Sequence, residues 1–120
     1  MTENAEWLGG VIAPGVQLSG DSLFERCARL PRVDIVPPKS VIGRNTVTNI
    51  QAGLTYGYAD MVDGLIVRIA EELGRTPKVI ATGGLSHVLE PIVSVFDSTD
   101  QGLTLEGLRL IASIVPDRQG

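Results

Sequence analysis

One helical pattern dominates the chain: it starts at Asn45-Thr46, residues suited to an N-cap, and runs to about Leu73, with Gly74 in the stopping position. At about 1.5 Å per residue such a helix is roughly 40 Å long. One stripe reads Ile50, Leu54, Tyr58, Met61, Leu65, Ile69 and Leu73, and a second is small: Gly53, Gly57, Asp60 and Gly64. Two faces therefore need neighbours. Each interior glycine costs around 1 kcal/mol against alanine, so three on one stripe suggest close approach by another backbone. Packing on a sheet of the same chain and a helix-to-helix contact between subunits both satisfy that pattern.

The segments around the helix point to an α/β domain. With 120 residues, 43% hydrophobic, 20% charged and 4% aromatic, the chain can form one core of Val, Ile, Leu and Ala, and is too short for two independent domains. Trp7 to Ala13 reads as a short strand stopped by Pro14-Gly15; a strand needs a neighbour, and one this near the start suggests a hairpin partner upstream in a longer parent. Val16 to Leu30 reads as a helix with Leu23, Cys27 and Leu30 on its inner face, closed by Pro31. Val33 to Val36 is a brief strand or extended segment, and Lys39 to Arg44 a loop. Lys78 to Leu85 predicts a buried parallel-type strand running into a glycine pair, with a short helix from about Ser86 to Val93 and a further strand over Val93 to Phe96. After a polar loop from Asp97 to Gln101, Thr104 is expected to cap a last helix with Leu105, Leu108, Ile111 and Ile114 facing inward, and the tail Pro116 to Gly120 to fray.

A formal charge of −4 without any Lys/Arg cluster argues against nucleic acid as a partner. No apolar run approaches the roughly 20 residues of a membrane span, and the first residues lack a signal-peptide pattern. A lone Cys27 makes no intramolecular disulfide, which fits a reducing, cytoplasmic setting.

Two places can carry chemistry. Gly83 and Gly84, after a strand, allow a ligand close to the backbone at a sheet's C-terminal edge, although a plain tight turn also accounts for them. Gly43-Arg44-Asn45-Thr46 sets a cation and small polar side chains where the long helix leaves N–H groups unpaired, with simple capping as the alternative. The sole histidine, His87, has no Cys or carboxylate at ligand spacing and reads as a surface or capping residue, so no metal site is expected. Asp60, Asp63, Glu71 and Glu72 read as a solvated face of the long helix, with an interface role as the alternative for Asp60, which sits within the glycine stripe.

In series, several strings resemble type III pantothenate kinases: Leu-Gly-Gly-Val-Ile-Ala-Pro-Gly from Leu8, Leu-Phe-Glu-Arg from Leu23, and Val-Ile-Gly-Arg-Asn-Thr from Val41. Gly53-Leu54 with Tyr56-Gly57-Tyr58, Val-Ile-Ala-Thr-Gly-Gly-Leu from Val79, and Leu-Thr-Leu-Glu-Gly-Leu from Leu103 extend the likeness over nearly the whole chain. The resemblance implies residues 1–120 as the C-terminal ribonuclease-H-like domain of a two-domain kinase of the acetate and sugar kinase, heat-shock and actin superfamily, lacking its first strand. It implies transfer of the γ-phosphoryl group of ATP to the 4′-hydroxyl of pantothenate, the first step of coenzyme A biosynthesis, with Mg²⁺ and a monovalent cation, K⁺ or NH₄⁺, in a homodimer. Thr46 would then contact pantothenate bound chiefly by the other subunit, Gly83 and Gly84 would line the adenosine side, and the helix from about Asn45 to Leu73 would form the dimer contact.

That family's Asp-x-Gly-Asn-Thr phosphate loop and Gly-Ala-Asp-Arg segment, which hold its phosphate-binding and base residues, do not occur in these 120 residues. No catalytic residue is therefore assigned here, and the chain alone is expected to be inactive. Two alternatives stand beside this reading: a non-catalytic homologue acting as a dimeric regulatory or transcription accessory module, and another sugar kinase of the superfamily, which Gly-Arg-Asn-Thr disfavours.

Overall fold

The computed structural model describes residues 1–2 and 4–115. Its elements follow in the order α1 (Val16–Arg26), α2 (Thr46–Leu73), β1 (Ile80–Ala81), α3 (Ser86–Leu89), β2 (Ser98–Thr99) and α4 (Leu103–Ile114). The result is a small α/β arrangement with a short parallel sheet, and the expected fraying of Pro116 to Gly120 lies outside the described residues.

Both ends of α2 stand where the sequence puts them. Asn45, extended at φ −153° and ψ 168°, accepts through its side chain from the Thr48 N–H at 2.9 Å, while Thr48 Oγ1 accepts from the N–H groups of Arg44 (3.0 Å) and Asn45 (3.3 Å). This is a reciprocal capping box with Thr in the place usually held by Glu or Gln. At the other end Gly74 adopts φ +65°, and its N–H donates to the Glu71 carbonyl at 3.2 Å, a left-handed stop that glycine reaches without a Cβ penalty.

α1 and α3 pack along α2. Gly20 of α1 lies so close to Leu54 that a Cβ there would sit 3.2 Å from Leu54 Cδ1. Thr55 is fully buried, and its hydroxyl donates to the Gln51 carbonyl at 2.7 Å. Three side chains of α2 tie down the preceding segments by donating to carbonyls: Gln51 to Asp34 (3.0 Å), Tyr56 to Pro38 (2.6 Å) and Tyr58 to Pro14 (2.8 Å). On the opposite flank Ala59 packs with Leu89 and Val93, joined by Tyr58, Val62, Ile92, Val95 and Phe96. The Asp63 carboxylate fastens this cluster by accepting from Ser94 Oγ (2.9 Å), Ser94 N–H (3.1 Å) and Val95 N–H (3.3 Å). Charge-assisted bonds to backbone donors are among the stronger ones, so Asp63→Ala should cost about 2 kcal/mol. A lower urea midpoint checks this, and an unchanged midpoint speaks against it.

The sheet is smaller than the apolar run from Lys78 suggests. Only Ile80–Ala81 pairs, in parallel, with Ser98–Thr99, so the second strand follows Val93 to Phe96 instead of occupying it. Asp97 sets this register: its N–H donates to the Val79 carbonyl (2.9 Å), and its carboxylate accepts from the Val79 N–H (2.6 Å). α3 ends at Leu89, since Pro91 supplies no N–H to extend it.

Three further expectations are corrected. Trp7 to Ala13 is not a strand, because no described strand lies beside it and the positive φ of Gly9 (+129°) breaks the extended run. Trp7 and Ile12 are 75% and 99% exposed. α1 stops at Arg26, and Cys27 is exposed; the chain folds back so that Arg32 meets Asp21 at 3.3 Å and lies 4.5 Å over the Phe24 ring. Val33 to Val36, read as a brief strand or an extended segment, forms no strand, and the Val36 N–H donates to the Asp34 carbonyl at 3.0 Å. Gly102 rather than Thr104 begins α4, helped by the Asp100 carboxylate accepting from the Gly102 N–H at 2.8 Å.

Two apolar surfaces find no cover among the described residues. Leu105, Leu108, Ile111 and Ile114 of α4 are exposed, contrary to the inward face expected, because no described element packs on them. On α2, a Cβ at Gly53, Gly57 or Gly64 would meet nothing within 4 Å, so among the described residues no sheet packs on the small stripe. The radius of gyration is 18.2 Å, where a compact chain of this length has about 14 Å. At the surface of α4, the Glu106 carboxylate pairs with Arg109 at 2.7 Å, which holds the Glu106 carboxyl below its usual value and raises the guanidinium.

Candidate functional site

The glycine pair opens onto a cleft of about 530 Å³. Its floor is the turn from Ala81 to Ser86 after β1, where Gly83 has φ +100°. Tyr58 and Val62 of α2, with Leu85, Leu89 and Phe96, form an apolar wall, and Gly15 and Val16 close the far side. The Tyr58 hydroxyl brings that far side in by holding the Pro14 carbonyl. Open backbone on one side and a hydrophobic wall on the other suit a flat, partly polar ring.

Within the turn, the Ser86 hydroxyl donates to the Gly83 carbonyl at 2.7 Å and accepts from Gln101 Nε2 at 2.5 Å. Among the described residues no protein acceptor meets the N–H groups of Gly83 and Gly84.

Thr46 stands elsewhere. It occupies the first position of α2, exposed, beside a second cavity of about 310 Å³ lined by Lys39, Ile42, Gly43, Arg44, Asn45 and Thr48. Gly43 permits this loop to lie against the helix: a Cβ there would clash with Asn49 Oδ1 and fall 2.6 Å from the Asn49 backbone nitrogen. Val41 and Gly43 also face Gly53, Gly57 and Asp60 across a groove of about 380 Å³. The structure thus brings Gly83 and Gly84 together and leaves Thr46 in a separate place, beside the open glycine face.

His87 is exposed, and the described residues include no group of three His, Cys, Asp or Glu side chains able to hold a metal ion. No helix among them is long and apolar enough to cross a membrane.

A family model for type III pantothenate kinase matches residues 1–68. The chain belongs to the type III pantothenate kinase family. It is 49% identical over 111 residues to a type III pantothenate kinase of Syntrophus aciditrophicus (strain SB), which covers 92% of this chain and 44% of that protein. A type III pantothenate kinase of Anaeromyxobacter sp. (strain Fw109-5) is 48% identical over the same shares, and one of Brevibacillus brevis is 49% identical over 91% of this chain and 43% of its own length. The chain therefore spans less than half the length of these relatives, and corresponds to their C-terminal part. Tyr58 and Ser86, which the sequence did not single out for this site, both line the cleft.

Proposed function

We propose that this chain is the C-terminal, ribonuclease-H-like part of an ATP-dependent kinase that phosphorylates the 4′-hydroxyl of pantothenate, the first committed chemistry of coenzyme A synthesis. Family membership is the observation that carries this reading. Nothing among the matches supports the regulatory alternative.

The cleft beside Gly83 and Gly84 suits the adenosine end of ATP, because two residues without Cβ let the ligand reach backbone N–H groups and Tyr58, Leu89 and Phe96 offer an apolar face to the base. Bound ATP supplies the phosphoryl group, with Mg²⁺ and K⁺ or NH₄⁺ as its accompanying cations, and no residue of this chain is assigned to hold them. What this chain's residues do is bind and orient. Thr46 offers a hydroxyl to pantothenate, and Lys39 and Arg44 line the adjoining cavity with positive charge. The base that takes the substrate's hydroxyl proton belongs to the rest of the enzyme.

The open stripe of Gly53, Gly57 and Gly64 supports a homodimer through α2, which would carry Thr46 toward the partner subunit's pantothenate. We place the enzyme in the cytoplasm, where Cys27 stays reduced.

The test uses the enzyme rebuilt by joining this chain to the N-terminal part of its Syntrophus aciditrophicus relative. In that enzyme Thr46→Val should raise the KM for pantothenate about tenfold, the size of one lost hydrogen bond, and leave the KM for ATP unchanged. Equal KM values for wild type and variant would remove Thr46 from the substrate site.

A further inference from the structure

We infer that Ser86 and Gln101 are positioning residues for the nucleotide: together they hold the Gly83–Gly84 turn so that its carbonyl faces the protein and its N–H groups stay available to ATP. The inference rests on the nucleotide reading of the cleft and adds the device that shapes it.

Ser86 is a buried polar residue, 7% exposed, at the start of α3. The Gly83 carbonyl accepts from it twice, from Oγ at 2.7 Å and from the backbone N–H at 3.1 Å. A hydroxyl has one hydrogen, and here it is committed to Gly83, so Oγ can meet Gln101 only as an acceptor. The Gln101 amide supplies the matching donor at 2.5 Å. Donors thus run one way, from Gln101 through Ser86 to the carbonyl of the turn.

A local helix start would need Ser86 alone. Gln101 comes from 15 residues further on, beyond β2, and its loop is itself fastened to the strand that enters the turn, because the Asp100 N–H donates to the Ala81 carbonyl at 2.8 Å. The clamp therefore spans both strands. With the Gly83 carbonyl engaged twice, and the N–H groups of Gly83 and Gly84 meeting no protein acceptor among the described residues, the turn presents donors and no Cβ. That surface fits the acceptor atoms of an adenine or ribose, and because glycine is free to adopt many backbone conformations, the clamp selects the φ +100° seen at Gly83.

Two measurements test this. In the present chain, Ser86→Ala and Gln101→Glu should lower the ¹⁵N order parameters of the Gly83 and Gly84 amides from about 0.85 toward 0.6, with α2 unchanged. Glutamate at 101 is the gentler variant, replacing only the donor at an exposed position. In the rebuilt enzyme both variants should raise the calorimetric Kd for ATP about tenfold while the KM for pantothenate stays within about twofold, and Ser86→Thr, which returns the hydroxyl, should restore ATP binding. Unchanged order parameters, an unchanged Kd, or equal losses for both substrates would each overturn the inference. A wild-type rebuilt enzyme that binds no ATP would overturn it as well. One that binds ATP without phosphorylating pantothenate would defeat only the functional reading, and the Kd comparison would still decide the clamp.

Discussion

Gly57→Leu should leave this chain folded, and more helical, while converting the rebuilt enzyme from dimer to monomer in sedimentation. Among the described residues a Cβ at Gly57 meets nothing within 4 Å, and the side chain beyond it enters the open groove of about 380 Å³ that Val41 and Gly43 face. Leucine is also a far better helix former than glycine, which favours α2 by about 0.5–1 kcal/mol. A destabilised monomer is thus not the expected outcome. Against another helix laid on the small stripe, the same side chain separates backbones that glycine lets approach, and overpacking of this kind costs about 1–3 kcal/mol at each copy in a symmetric interface. Higher helix stability together with lost assembly is a combination that a solvent-facing stripe does not produce. A persistent dimer would move the interface away from α2.

Gly43→Ala should have the opposite character, damaging the chain itself. The alanine Cβ would run into Asn49 Oδ1 and come 2.6 Å from the Asn49 nitrogen and 2.7 Å from the Thr48 carbonyl carbon. Two of these contacts are with backbone, which cannot swing aside as a side-chain tip can, so the loop must lift from the first turn of α2. That motion separates Arg44 and Asn45 from Thr48 and breaks the capping box, adding about 1 kcal/mol to an overpacking cost of about 1–3 kcal/mol. Urea unfolding followed by circular dichroism should show a loss of about 2–4 kcal/mol, and in the rebuilt enzyme a raised KM for pantothenate with ATP affinity retained. Wild-type stability would mean that the loop is not seated on the helix.

These two glycines also show what the sequence made legible. The bounds of α2 could be read because capping is local chemistry: Asn45 and Thr48 lie three residues apart, and Gly74 needs only its own φ. The small stripe was legible as a face in need of a partner, and among the described residues no sheet packs on it. The brief β1–β2 pairing was harder, since strand length depends on what lies alongside, and Asp97 settles the register through contacts with Val79 that no periodicity encodes. For the same reason Trp7 to Ala13 carries a strand's composition without forming a strand. The amphipathic pattern of Leu105 to Ile114 forms α4, yet composition cannot say which element will cover its face. In the site, Gly83 and Gly84 announced themselves by type and position, whereas Ser86 and Gln101 are ordinary polar residues whose meeting depends on the folded loop.

Phosphorylation of pantothenate by this chain mixed with the separate N-terminal part of its Syntrophus aciditrophicus relative, in Mg²⁺ and K⁺, addresses the half-enzyme reading most directly. ADP release should be absent with either part alone and should appear, with 4′-phosphopantothenate as product, when the two are combined. Turnover by this chain alone, or silence from a mixture whose parts are folded and associated, would contradict it.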